Sequence, residues 1–279
     1  MIRAFAPAKV NLALHVTGQR SDGYHLLDSL VVFADVGDRL TFEDSDTRSL
    51  SVTGPFADGV PTGAENLIWK AADLLDPDRG VAITLEKNLP HGAGLGGGSS
   101  DAAAALEGLM ALWTKRVPAP ERVLSLGADV PVCYHARHHE WRARISGIGE
   151  RLDPVPPIPP MHLVLVNPRV PVPTGACFAA LATRENAPMD PSRWSDADTF
   201  VSWLSRQRND LETPALGLAP EIGRCLERLA VADGCRLARM SGSGATCFGL
   251  FDPLEAHPAA EAIRADHPDW WVVETSLLS

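Results

Sequence analysis

Five of the seven residues in Gly92-Ala93-Gly94-Leu95-Gly96-Gly97-Gly98 are glycine, and no other stretch constrains the fold so tightly. Each glycine inside a regular element costs about 0.5–1 kcal/mol relative to alanine, so such a run marks backbone that must turn with positive φ or be approached closely. Val81, Ile83 and Leu85 alternate before it as in a strand. Leu106, Leu109, Met110 and Trp113 follow at the spacing of an amphipathic helix. Ser99, Ser100 or Asp101 would cap that helix. Strand, glycine loop and helix N-terminus together make a phosphate cradle, in which free N–H groups and the positive end of the helix dipole face an anion. A flexible hinge is the bland alternative, but hinges seldom carry this many glycines ahead of a capped helix. The Walker pattern fails because Ser99-Ser100-Asp101 stand where it needs a lysine. A dinucleotide-binding unit fails too, since Pro118 and Pro120 interrupt the region that should supply its acidic residue.

The rest of the chain suits an ordinary globular protein of two lobes. Its 279 residues are 45% hydrophobic and 22% charged, with a net charge of −10 that disfavours nucleic acid as a partner. Five scattered cysteines without CxxC spacing fit reduced thiols in a cytoplasm. The N-terminus lacks the apolar core of a signal peptide, and no stretch approaches the roughly 20 apolar residues of a membrane span. Val10, Leu12, Leu14 and Val16 predict a strand with one buried face, which puts Lys9 and Asn11 together on its polar side. A polar turn over Gly18–Gly23 precedes a second strand within Leu26–Val36. Pro154, Pro156, Pro157, Pro159 and Pro160 exclude a helix or central strand and predict a linker, dividing the chain into lobes 1–153 and 161–279. Beyond it, strands are expected at His162–Val166, Thr246–Phe251 and Trp271–Glu274, with a helix through Ile222, Cys225, Leu226 and Leu229. Strands and helices mixed without a regular βαβ rhythm indicate the α+β class.

Gly94 to Ala103 resembles the ATP loop of the galactokinase–homoserine kinase–mevalonate kinase (GHMP) superfamily. Within it, the 4-diphosphocytidyl-2-C-methyl-D-erythritol kinase family is most similar. Pro7-Ala8-Lys9-Val10-Asn11-Leu12 resembles that family's opening motif, and Gly18 to His25 its substrate loop. Gly127-Ala128-Asp129-Val130-Pro131-Val132 resembles its catalytic segment; Asn209-Asp210-Leu211-Glu212 and Ser241-Gly242-Ser243-Gly244-Ala245 resemble its C-terminal lobe. The motifs arrive in family order and cover nearly the whole chain.

The resemblance implies a two-lobe fold, with an N-terminal lobe like ribosomal protein S5 domain 2, containing a left-handed βαβ crossover, and a ferredoxin-like C-terminal lobe. It implies ATP-dependent phosphorylation of the 2-hydroxyl of 4-diphosphocytidyl-2-C-methyl-D-erythritol, within the methylerythritol phosphate route to isopentenyl diphosphate. Asp129 would be the general base and Lys9 the second catalytic residue, a compact ammonium that neutralises developing phosphoryl charge. Without the motifs, Asp129 reads first as a turn or cap residue and Lys9 as a solvated strand-edge lysine. Pro90, His91, Gly92, Ala93, Gly94, Leu95, Gly96, Gly97, Gly98, Ser99 and Ser100 would hold ATP, with Mg2+ implied by the chemistry and not by any ligand cluster. Asn11, Tyr24, His25 and Phe178 would bind the cytidine-linked substrate, Tyr24 and Phe178 by stacking and His25 through the base's polar edge. A core position stays open for both aromatics. His135, His138 and His139 read as an exposed loop rather than a metal site, because no acidic or thiol partner completes a set. A monomer or a homodimer is compatible with all of this. So are two competitors: another small-molecule kinase of the superfamily, acting on homoserine, mevalonate or a sugar, and a non-catalytic nucleotide-binding module.

Overall fold

A computed structural model of the chain describes residues 1–116 and 118–279. In order, the elements are β1 (Ile2–Gln19), β2 (His25–Asp44), β3 (Arg48–Thr53), α1 (Leu67–Leu75), β4 (Val81–Glu86), α2 (Gly97–Trp113), α3 (Pro120–Leu124) and α4 (Val130–Ala136). There follow β5 (Arg142–Gly147), β6 (Arg151–Asp153), β7 (His162–Asn167), α5 (Thr174–Ala179), α6 (Ala197–Ser205), α7 (Glu212–Leu218) and α8 (Glu221–Ala230). The chain ends with β8 (Leu237–Met240), β9 (Cys247–Phe251), α9 (Ala256–Asp266) and β10 (Trp271–Ser276). Packing divides it into two interleaved units. One comprises Met1–Lys9, Val36–His91 and Gly96–Glu140; the other comprises Val10–Asp35, Gly92–Leu95 and Trp141–Ser279. The proline-rich segment carries neither helix nor strand and lies inside the second unit.

In the first unit the C-terminal half of β2 pairs antiparallel with β4, and β4 pairs parallel with β3. The parallel pair is joined through α1, as a crossover requires. Phe42, Ile83 and Leu85 of these strands are buried, as are Ala102–Leu106 and Leu109 of α2. Gly108 is glycine because a Cβ there would fall 2.4 Å from the Phe42 ring. Helix α2 therefore packs hard against the unit's core, and that packing fixes where its N-terminus lies.

In the second unit β10, β7, β9 and β8 form an antiparallel sheet in that order. Numbering these strands one to four along the chain gives 4-1-3-2, the order of a ferredoxin-like sheet, with α8 and α9 packed on it through Ile222, Cys225, Leu229 and Ile263.

β1 departs from the sequence expectation of one buried face. Every residue from Ala6 to Val16 is buried, so its polar side lies inside the protein as well. Burial of polar groups is tolerated where each finds a partner. Asn11 Nδ2 donates to Ser29 Oγ at 2.8 Å, and His15 Nε2 accepts the Arg208 N–H at 3.1 Å. Lys9 bonds a carboxylate, described below.

Candidate active site

In the first unit the Lys9 ammonium, on β1, lies 2.9 Å from Oδ2 of Asp129, the residue immediately before α4. Pro131 in the first turn of α4 fixes the backbone there without wanting the N–H it lacks. The two side chains are unequally covered: Lys9 is 5% exposed and Asp129 40%. The carboxylate thus faces outward while the cation backs it, as a base that must reach a ligand requires. Asp129 makes no capping bond to α4, so its oxygens are not committed to the helix.

The glycine run divides between the units. In the first, Gly96 is the residue before α2, with φ of 62°, and a Cβ on it would fall 2.8 Å from Lys9 Cε. Glycine there provides the left-handed turn and lets β1's lysine pass beneath the loop. Neither Ser99, Ser100 nor Asp101 caps the helix as expected. The glycines extend it to Gly97, so those residues fall inside the first turns, and the Asp101 side chain is drawn down to Lys87. In the second unit Gly94 rests on the other glycine-rich turn: its carbonyl accepts the Ser241 hydroxyl at 2.8 Å, and a Cβ would fall 2.2 Å from the Ser241 carbonyl. The Ser241 hydroxyl also accepts the Asn11 N–H at 3.1 Å. Asn209 Nδ2 bonds the carbonyls of Met240 and Gly242, both at 2.8 Å, holding the 241–244 turn in place. Of the remaining loop residues, Pro90, Ala93, Leu95 and Ser100 are buried, whereas His91, Gly92 and Gly98 are exposed and Gly97 and Ser99 half-buried.

Also in the second unit, the turn after β1 places Tyr24 on the surface at 58% exposure, which removes its core alternative. His25 is stacked on Phe178 with ring centroids 4.5 Å apart and planes inclined by 23°. Burial and then Arg184 lower the His25 pKa, so the ring is neutral at pH 7, and its Nε2 is buried without a partner. A neutral imidazole with one idle nitrogen can read the polar edge of a base. Asn11 is only 2% exposed, with its amide bonded to Ser29.

Residues 66–139 match the GHMP kinases N terminal domain, and residues 192–269 the GHMP kinases C terminal. A protein of Jannaschia sp. named 4-diphosphocytidyl-2-C-methyl-D-erythritol kinase is 55% identical, over 99% of this chain and 97% of its own. One of the same name from Cereibacter sphaeroides is 55% identical over the full length of both. The chain belongs to the 4-diphosphocytidyl-2-C-methyl-D-erythritol kinase family of the GHMP kinases. A crystal structure of 4-(cytidine 5'-diphospho)-2C-methyl-D-erythritol kinase superimposes with a TM-score of 0.80 at 37% identity, over 99% of each chain. A homoserine kinase from Cytophaga hutchinsonii shares the fold, with a TM-score of 0.70 at 16% identity. The α+β, two-lobe GHMP architecture and the kinase class follow from that membership.

Sequence reasoning missed two features of this family member. One is the Ser241 hydroxyl, which ties Asn11 to Gly94. The other is a buried cluster beneath α2, in which Lys87 Nζ donates to Asp38 at 2.5 Å and to Asp101 at 2.7 Å. A signal for the second was present: the chain has only four lysines, and Lys87 follows a strand that leads directly into the glycine loop. Of the three histidines read as an exposed loop, His138 and His139 are exposed, but His135 lies half-buried in α4 and stacks on His139. No group of three or more His, Cys, Asp or Glu placed to hold a metal occurs among the described residues.

Proposed function

We propose that the chain transfers the γ-phosphoryl group of ATP to the 2-hydroxyl of 4-diphosphocytidyl-2-C-methyl-D-erythritol, giving the 2-phosphate and ADP. This is one step of the methylerythritol phosphate route to isopentenyl diphosphate, carried out in the cytoplasm. The observation that carries the reading is the outward-facing Asp129 carboxylate backed by the buried Lys9 ammonium. Full-length relatives of that name support the choice of acceptor.

Phosphoryl transfer asks little covalent chemistry of a protein; it needs alignment, a place for the acceptor's proton and compensation of charge. A free Asp129 oxygen takes the proton of the hydroxyl as that oxygen bonds to phosphorus. Lys9, a compact fixed charge beside the reacting oxygens, offsets the negative charge that develops. The backbone of Gly92–Ser100 holds the phosphates of ATP, with Mg2+ arriving as part of the nucleotide complex. Tyr24 and Phe178 supply aromatic faces for cytosine, and the idle Nε2 of His25 bonds its edge. Because His25 and Phe178 stand 4.5 Å apart, a base cannot enter between them as they are. It stacks on an outer face, or one ring turns aside.

The test is ADP release by the purified protein with magnesium-ATP, with and without this acceptor. Release that requires it is the expected result. Release stimulated instead by homoserine or mevalonate would overturn the acceptor assignment.

A further inference from the structure

One cation and two carboxylates lie buried together under the first turns of α2. Lys87, Asp38 and Asp101 are 5%, 0% and 4% exposed, and Lys87 Nζ bonds both acids. Asp38 is fully engaged, since its other oxygen accepts the N–H groups of Asn88 and Leu89 at 2.6 and 2.9 Å. Asp101 is not: its Oδ1 is buried and has no hydrogen-bond partner. With both acids ionised the cluster carries −1, and one oxygen of that charge is neither solvated nor bonded, which is costly in an interior.

The position matters as much as the charge. A Cβ on Gly97 would lie 3.2 Å from Lys87 Nζ, so the ammonium sits against the backbone of the glycine loop, and Asp101 stands one turn further into the same helix. Around Asp101, β2 contributes Asp38 and the segment after β4 contributes Lys87. From α4 comes Cys133, whose thiol burial raises far above its usual range, while Arg137 of that helix is bonded to Glu107 and to the Phe5 carbonyl. From β1 comes Lys9, bonded to Asp129. Helix α1 buries Ile68, Trp69, Ala71 and Ala72; its Asp73 is paired with Arg48, and Lys70 is exposed. Burial, opposed by Lys87 and reinforced by Asp38, lifts the Asp101 carboxyl to about 7.

We propose that Asp101 takes up one proton from solvent when nucleotide binds, converting the cluster under the phosphates from −1 to neutral. This rests on the glycine loop being the phosphate site. A negative charge beneath bound phosphates opposes them, and Asp101 is the member of the cluster with an oxygen free to hold the proton. Lys87, bonded to Asp38, keeps the loop's base in position. Asp101 is thus a positioning residue that sets the charge below the loop.

The experiment is calorimetric titration of the whole protein with the magnesium complex of a β,γ-imido ATP analogue, in two buffers of different ionisation enthalpy, at pH 6 and pH 8. Native protein takes up a proton at pH 8 and almost none at pH 6, where Asp101 already holds one. Its affinity accordingly falls by up to about tenfold per pH unit above 7. Asp101→Asn, which keeps an oxygen for Lys87, binds with no pH-dependent uptake and more tightly than native at pH 8. Binding by native protein with no uptake at pH 8, or equal uptake in the variant, would overturn the proposal alone. If the variant does not fold, the native comparison between the two pH values decides. Absence of any nucleotide binding would remove the loop assignment and this proposal with it.

Discussion

Two lysine–aspartate groupings of the first unit have contacts of nearly equal length but opposite exposure. Lys9 and Asp129 meet at 2.9 Å with the acid 40% open, whereas Lys87 meets Asp38 and Asp101 at 2.5 and 2.7 Å with all three side chains closed off. An ion pair's length says little about its role. In the open pair the carboxylate can be reached by a ligand and relies on water when its partner is removed. In the closed cluster nothing but protein answers each charge, so its members hold the fold and set the local potential. The proposed chemistry lies at the first, and the second is framework.

Removing the cations should break the symmetry most visibly. Lys87→Met leaves two buried carboxylates without their cation and should cost about 3–5 kcal/mol of stability. Lys9→Met should cost under about 1 kcal/mol, because Asp129 turns to solvent. Urea unfolding of the two variants compares them; equal losses would erase the distinction. Next in size, Gly97→Val drives a side chain toward Lys87 and across the loop, and nucleotide affinity should drop beyond detection by thermal shift while Asp129 stays untouched. Phe178→Leu removes a stacking face and should raise the acceptor KM by about three- to tenfold with kcat little changed, on the basis of about 0.5–1.5 kcal/mol for an aromatic pair.

A pH effect on the ligand-free protein probes the closed cluster from another side. Asp101 has a folded pKa of about 7, above the roughly 3.9 of an unfolded aspartate. Between those values the folded state binds more protons, so stability falls as pH rises from about 4 to 7. Asp101→Asn should flatten that limb, and melting temperatures at pH 5 and pH 8 read it directly. An unchanged slope would detach the cluster from the protein's acid behaviour. Lys87 acts at the other end. Burial alone would lower its pKa, but the two acids outweigh this and raise it, so its contribution is lost only above its usual range near 10.5.

Much of this was legible in the sequence. The alternation through Val16 placed Lys9 and Asn11 on one side of a strand, and the glycines announced a loop closed by a helix. What alternation could not show was that β1 is buried on both faces, because partners such as Ser29 and Arg208 lie far along the chain. The capping expectation failed for a related reason. Asp101 looked free to cap until Lys87, 14 residues earlier, claimed it. Lys87 itself reads as a charged strand exit, and nothing local links it to Asp38, 49 positions away. Side chains that answer one another across such separations are written in the fold, not in a window of sequence. His25 and Phe178 show the same limit, since both were singled out but their mutual stacking depends on tertiary placement alone.

Asp129→Asn tests the central claim most directly, by the rate of acceptor-dependent ADP release measured beside nucleotide affinity. The variant keeps its size and its place before α4 but cannot take a proton. The rate should fall by about 10²-fold or more, as for loss of a general base, with nucleotide binding unchanged. A rate within a few fold of native would contradict the account and move the chemistry away from the open pair.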